Sequence, residues 1–549
     1  MEEVLRKAVQ EALVELGASD TSFVIEWPAD LAHGDFSTNA AMAGAKALGK
    51  NPKQLAEEIA GIVRETLGEQ VKSIDVAGPG FINFTLAHPV VTGMVAEIPV
   101  IATEWGKGAS HDGKRVMIEY TDPNPFKEMH IGHLMSNVIG EATARLIEND
   151  GAHISRACYQ GDVGPHVAKA LWGLQQKGIK EPVTAKELGE AYTHGSTSYE
   201  KSEEVKGEID ALNTAIYEGS NRELMELWRK GRDVSLAAFE DIYRTLGTKF
   251  DFNFFESETS VPGMEKVKEG TAKGVFTESQ GAIIYEGEKK GLHTLVFVTS
   301  KGNPTYEAKE IGLAYLKEER WPSDESIIIT ASEQIGHFRV YLAALEDLAP
   351  ALAHKTRHVP HGFLRLPTGK MSSREGSVIT AEHLIKEVIE KAQEKNEDPL
   401  VAQQVAVGAI KYMILRSAPG GDIIFDAEKS LALDGDSGPY LQYALVRAKS
   451  LIAQATESAG GSATPTEPYT LERLLIRFPE VTAIAVKENA PHKVTQYLTQ
   501  LAGEWNSFYG QGKILGAEDE KYKLQIARAF VTTMENGLKL LGIPTPERM

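Results

Sequence analysis

The stretch that most constrains this chain runs from Glu119 to His133, Glu-Tyr-Thr-Asp-Pro-Asn-Pro-Phe-Lys-Glu-Met-His-Ile-Gly-His, because it closes a strand and opens a helix with two imidazoles and a glycine. Val116, Met117 and Ile118 before it form a short apolar run. After it, Leu134, Val138, Ala142 and Leu146 recur at helical spacing until Asn149-Asp150-Gly151, a helix stop. A second apolar run, Ile154 to Tyr159, completes a strand, helix, parallel-strand unit. A helix N-terminus presents unpaired N–H groups and a positive dipole end. Gly132 lets backbone and ligand approach closely, and His130 and His133 can donate to phosphate oxygens, so the loop suits a nucleotide triphosphate. Taken alone, His-x-Gly-His is short, and buried structural histidines also satisfy it.

A second segment adds to the first. Gly369-Lys370-Met371-Ser372-Ser373-Arg374-Glu375-Gly376 is a glycine-bounded polar loop with cations and two hydroxyls, able to close over β- and γ-phosphates as pyrophosphate charge develops. In isolation it reads equally as a solvated basic turn. Together the two segments resemble the paired signatures of class I aminoacyl-tRNA synthetases. The surroundings narrow the resemblance to the arginyl-tRNA synthetases: Glu119, Pro123-Asn124 and Lys127 lead into the first signature as in that family. Gly161-Asp162-Val163-Gly164, Phe255-Glu256-Ser257, Tyr306 with Glu310, Glu333-Gln334 with His337, and the terminus Pro546-Glu547-Arg548-Met549 are similar to further family motifs. The matches span nearly the whole chain. Two departures stand out: Glu310 replaces the family's aspartate, and Ala308-Lys309 replaces its Thr-Arg.

The resemblance implies an α/β protein with a class I Rossmann-like, doubly wound catalytic domain. An N-terminal α+β domain and a C-terminal all-α helical-bundle anticodon-binding domain would be appended to it. The expected division is 1–108 for a domain touching the tRNA corner, 109–360 for the catalytic domain with a helical insertion near 185–248, 361–400 for the phosphate loop and connector, and 401–549 for the anticodon-binding bundle. Strands are expected around Met117, Ala157, Val296 and Ile328, and a strand-like stretch over Ser22 to Trp27. A stripe of Val494, Leu498, Leu501 and Trp505 marks a core-facing helix.

By the same resemblance the chain is an arginine–tRNA ligase that activates arginine with ATP and transfers it to the 3′-terminal ribose of tRNA(Arg). His130, His133, Lys127 and Lys370 would be catalytic. ATP would be held by His130, Gly132, His133, Lys370, Met371, Ser372 and Ser373. Arginine would be held by Glu119, Asn124, Glu256, Tyr306, Glu310 and Gln334, the carboxylates accepting forked guanidinium N–H groups. Phe81, Asn83, Tyr440, Tyr443, Tyr509 and Met549 would contact tRNA. For Phe81 a core phenylalanine beside a Gly-Pro-Gly turn serves as well, and aromatics at helical spacing are more often core. ATP is a substrate here, Mg²⁺ would arrive on it, and no metal held by the protein alone is expected.

Composition excludes other classes. A chain of 549 residues exceeds one core and suggests three or four domains; 42% apolar and 25% charged residues fit a soluble globular protein with no bilayer-length apolar run. The single cysteine, Cys158, rules out a disulfide framework and a thiolate zinc site, and the first residues lack a signal-peptide pattern, so a cytoplasmic location is expected; a monomer is expected as well, without a sequence signal that gives the oligomeric state. A net charge of −19 argues mildly against nonspecific nucleic-acid binding and leaves tRNA open. A bare nucleotidylyltransferase would be far shorter, and a non-catalytic relative would be expected to have lost His130, His133 or Lys370.

Overall fold

The computed structural model describes residues 1–28, 30–365, 379–455 and 463–549, which fall into two compact units. The larger comprises Lys107–Val446, Thr482–Leu498 and Gly537–Met549. Its centre is a five-stranded parallel sheet of β1 (Arg115–Glu119), β2 (His153–Gln160), β3 (Phe252–Phe255), β4 (Glu325–Ala331) and β5 (Thr356–His361) in the order 5-4-1-2-3. Strands covered on both faces read as unbroken apolar runs, and Val116, Met117, Ile118, Ile327, Ile328 and Ile329 are all buried. Cys158 is buried in β2, where burial pushes its thiol pKa well up.

In this order the direction of winding reverses between β1 and β4, and a doubly wound sheet binds ligands in the crevice beyond its strand ends at that point. The signature helix α1 (Ile131–Asn149) leaves β1 there. The helices α2 (Pro165–Gln176), α3 (Glu256–Ala272), α4 (Tyr306–Arg320) and α5 (Ile335–Leu348) complete the layers around the sheet. Helices α3 and α4 touch backbone to backbone: a Cβ on Gly263 would sit 2.0 Å from the Ala308 carbonyl oxygen, and one on Gly312 would sit 2.2 Å from that of Thr259. That approach sets Glu256 against the first turn of α4.

The strand expected at Val296 exists as Leu295–Val298, but it belongs to a separate antiparallel three-stranded sheet with Ala282–Tyr285 and Thr277–Ser279. Val296 is 39% exposed, as a one-sided antiparallel sheet permits. The insertion forms three helices, Ala185–Lys201, Glu203–Glu218 and Arg222–Leu246, whose Leu188, Ile209, Ile216 and Leu224 share a core with Val167 and Leu171 of α2.

The smaller unit comprises Met1–Gly106, Arg447–Val481 and Thr499–Asn536. It contains an antiparallel sheet in the order Ile25–Glu26, Phe36–Thr38, Phe81–Leu86, Val71–Ala77. Only Ile25–Glu26 of the strand-like stretch Ser22 to Trp27 is paired. Helices Glu2–Glu15, Ala40–Leu48, Pro52–Leu67 and His88–Ile101 accompany the sheet. The chain beyond Pro399 is largely helical, with Val494, Leu498, Leu501 and Trp505 fully buried. No helix among the described residues is long and apolar enough to cross a membrane.

Candidate active site

The loop leaving β1 is strained. Thr121, Asp122 and Phe126 adopt φ values of 80°, 50° and 67°, a left-handed region non-glycine residues seldom occupy. Hydrogen bonds hold it there: the Thr121 N–H donates to Ser136 Oγ (3.0 Å), Asn137 Nδ2 donates to Thr121 Oγ1 (3.0 Å), and Asp122 Oδ1 accepts from the Tyr159 N–H (2.7 Å). Gly140 makes room for Tyr120, whose ring lies 2.2 Å from where a Cβ would stand.

His130 is the N-cap of α1. Its Nδ1 accepts from the Gly132 N–H (3.1 Å), the His130 N–H donates to Nδ1 of His133 (3.2 Å), and the two rings stack with centroids 3.6 Å apart. Because both Nδ1 atoms accept, each neutral ring carries its proton on Nε2. Burial, then the nearby Lys127 charge, lowers the His130 pKa to about 4; burial, then His130, Lys127 and His361, holds His133 well below the usual histidine range. The imidazoles are therefore neutral Nε2–H donors at pH 7. Sequence alone gives neither the tautomer nor the charge. Lys127 itself lies 4.5 Å over the ring of Tyr192 on the first insertion helix.

Lys370, Met371, Ser372 and Ser373 lie outside the described residues. The chain just beyond them is tied to the first signature: the Ile131 N–H donates to the Ile379 carbonyl (3.3 Å), the Ala381 N–H donates to that of Met129 (2.7 Å), and Thr380 pairs with His130. Helix α6 (Ala381–Gln393) starts there. Residues 379–381, which follow the second signature in sequence, thus adjoin the backbone of the first.

On the other side of Asn124 lies an acidic pocket. A Cβ on Gly161 would stand 2.4 Å from Asn124 Oδ1 and 3.2 Å from Glu256 Oε1, so these two side chains converge on that glycine. Asp162 anchors α3 by accepting from the N–H (2.9 Å) and Oγ (2.7 Å) of Ser257, and Arg232 donates to it (3.1 Å). Tyr306 and Glu310 lie one turn apart on α4, with the Tyr306 hydroxyl acting to lower the Glu310 pKa. Glu310 is 2% exposed, and burial, then the Glu119 charge, raises its pKa to about 7. Asp122 is raised well above its usual range by burial, then Glu119. Tyr306 leaves 43% of its surface exposed, yet its hydroxyl end is buried among carboxylates that push its pKa up. Gln334 follows β4 at the same strand ends, and His337 beside it packs its ring 5.1 Å from that of Tyr306.

The catalytic-domain family model described as "tRNA synthetases class I (R), catalytic domain" matches residues 97–427, the "DALR anticodon binding domain" matches 441–549, and the "Arginyl tRNA synthetase N terminal domain" matches 3–86. The chain is 30% identical to an arginine–tRNA ligase of Porphyromonas gingivalis over 527 residues, covering 87% of this chain and 88% of that one. It belongs to the class I arginyl-tRNA synthetases. An arginine–tRNA ligase of Clostridium perfringens is 28% identical, covering 99% of this chain and all of its own. The solved arginyl-tRNA synthetase of Thermus thermophilus superposes with a TM-score of 0.82 at 26% identity, covering the whole of both chains.

Within this synthetase fold, two acids of the expected arginine set already have a cationic partner. Glu256 is 7% exposed and is paired by Lys309 at 2.5 Å, and Glu119, 2% exposed, is paired by Lys317. A carboxylate buried this deeply needs a compensating charge, and α4 supplies both lysines. Lys309 appeared in the sequence only as a departure from the family pattern; Lys317 and Asp122 carried no signal there. Among the described residues no lysine forms a salt bridge with Glu310.

The residues expected to meet tRNA differ in setting. Phe81 is half-buried, and Asn83, 8% exposed, accepts from Ser37 through Oδ1 (2.8 Å). Tyr443 is 39% exposed, while Tyr440 and Met549 are half-buried. Tyr509 carries the Arg447 guanidinium 3.9 Å above its ring, beside a cavity of about 430 Å³ that Lys513 also lines.

Proposed function

We propose that arginine enters the acidic pocket with its guanidinium on Glu310 and Tyr306 and its amino-acid end toward Asn124, Glu119 and Gln334. The observation that carries this reading is charge. Among the described residues, Lys317 pairs Glu119 and Lys309 pairs Glu256, while Asp122 and Glu310 have no lysine or arginine in a salt bridge with them. Arginine brings two cationic groups, its guanidinium and its α-ammonium. Buried like charges are costly until such a partner arrives, so the pocket recognises charge as well as shape.

ATP then lies across the start of α1. The Nε2–H groups of His130 and His133 and the helix N-terminus donate to phosphate oxygens, while Lys127 and Lys370 bring positive charge. The arginine carboxylate attacks the α-phosphorus, giving arginyl-adenylate and pyrophosphate; a terminal ribose hydroxyl of tRNA(Arg) then attacks the acyl carbon and releases AMP. Both steps rest on positioning and charge stabilisation. Among the described residues no group of three or more His, Cys, Asp or Glu is arranged to hold a metal. Mg²⁺ bound to the ATP phosphates would supply further neutralisation. Phe81, Asn83, Tyr440, Tyr443, Tyr509 and Met549 face the tRNA in this reading, with division of the chain near 108, 360 and 400.

Citrulline, which keeps the shape of arginine and loses the guanidinium charge, tests the pocket. Its kcat/KM is expected to be lower by roughly 10³-fold or more, because a buried carboxylate would be left without its cation. Comparable use of citrulline would overturn charge as the basis of recognition.

A further inference from the structure

The backbone carbonyls of Lys539, Gly542 and Pro544 are tied toward the signature helix by polar contacts that are buried at Glu141 and Lys411 and partly exposed at Arg145. Glu141 on α1, 3% exposed, accepts from the Tyr120 hydroxyl (2.6 Å), Arg145 Nε (2.7 Å) and Arg156 Nε (3.1 Å). Arg145 also donates to the carbonyls of Lys539 (3.1 Å) and Gly247 (3.2 Å). Lys411, 1% exposed, donates to the Gly542 carbonyl (2.6 Å). Gln442, between Tyr440 and Tyr443 on the helix Gly438–Gln454, donates to the carbonyls of Gln404 (3.0 Å) and Pro544 (2.8 Å). The far end of this set is Pro544, five residues before Met549; the near end is Tyr120, which precedes the strained Thr121.

Two features argue against plain glue. Apolar side chains of similar volume would hold these segments at no desolvation cost, whereas a buried polar network loses stability unless it fixes one register. Lys411 illustrates the cost: burial, then the Arg145 charge, lowers its pKa to about 7. Moreover, the contacts end beside the signature loop, whose backbone is left-handed at Thr121, Asp122 and Phe126 and where a small shift would move the ATP-side groups.

We propose that Glu141, Arg145 and Lys411 are positioning residues that couple the seating of the tRNA-facing C-terminal residues to the geometry of the signature loop. The proposal rests on the reading of Tyr440, Tyr443 and Met549 as anticodon contacts. Spatial continuity alone does not establish coupling, so the test is a cycle of perturbations.

Aminoacylation is measured for the wild type and Arg145→Gln, each with tRNA(Arg) and with tRNA(Arg) bearing one substituted anticodon base. Arg145→Gln, at a side chain 27% exposed, is expected to lower kcat roughly tenfold with arginine KM unchanged, a usual size for coupling. The anticodon substitution should lower wild-type kcat too, and the two effects together should fall well short of their product. Lys411→Met, which fills the same space without charge, should give the same non-additivity should Arg145→Gln fail to fold. Effects that multiply, or an anticodon change that moves only tRNA KM, would overturn the coupling. A wild type that does not arginylate tRNA(Arg) would overturn the functional reading itself.

Discussion

Glu310→Gln removes the buried Glu310 charge and keeps the shape of the side chain. The residue is 2% exposed, and burial, then the Glu119 charge, raises its pKa to about 7. At pH 7 it is half-protonated, so ionising it for arginine costs only about 0.4 kcal/mol. Losing the charged, desolvated contact to a guanidinium costs more, about 2–4 kcal/mol, or roughly 30- to 1,000-fold in kcat/KM for arginine. The wild-type kcat/KM for arginine should fall about tenfold per unit as pH drops below 7, and that slope should vanish in Glu310→Gln. Stability should change in the opposite sense. With a folded pKa of about 7 above the ordinary 4.5, the folded chain holds the extra proton between these values. The ligand-free protein therefore loses stability as pH rises through that window, by at most about 3 kcal/mol, and the variant should be the more stable at pH 8. Steady-state kinetics at several pH values and denaturant unfolding without arginine measure both effects. A silent Glu310→Gln beside a crippled Glu256→Gln would refute the reasoning, placing the guanidinium on Glu256 despite Lys309.

Lys370→Ala should slow adenylate formation by about 10²-fold, on the order of 3 kcal/mol, with arginine affinity little changed, since its charge acts on the departing pyrophosphate; near-normal turnover in single-turnover assays would remove it from the mechanism. Gly140→Ala should cost about 1–3 kcal/mol by denaturant unfolding and slow adenylate formation, because the new Cβ meets the Tyr120 ring at 2.2 Å; unchanged stability would mean that Tyr120 yields freely. Pyrophosphate exchange into ATP should require tRNA as well as arginine, and rapid exchange with arginine and ATP alone would contradict coupling between the tRNA-facing residues and the site.

What the sequence disclosed follows from locality. The strand run Val116–Ile118, the glycine at 132, the stop at Asn149-Asp150-Gly151 and the stripe ending at Trp505 are periodic or punctuated signals that short windows carry. The strand Phe252–Phe255 escaped because four residues give too little alternation, and Val296 was legible as a strand but not as a member of a second sheet. The pocket was legible as a set of residue types and illegible as a charge balance: the pairings of Lys317 with Glu119 and Lys309 with Glu256 join distant segments. The left-handed backbone at Thr121, a β-branched residue that rarely adopts it, and the Nε2–H tautomers of His130 and His133 are products of tertiary hydrogen bonding.

The central claim, that this pocket and these two signatures join arginine to tRNA, is tested most directly by ATP-dependent charging of total tRNA with each of the twenty amino acids in turn. Acid-precipitable, base-labile label should appear with arginine alone and should compete with unlabelled arginine but not with lysine. Charging with another amino acid, or none with arginine in the presence of ATP, Mg²⁺ and tRNA, would contradict it.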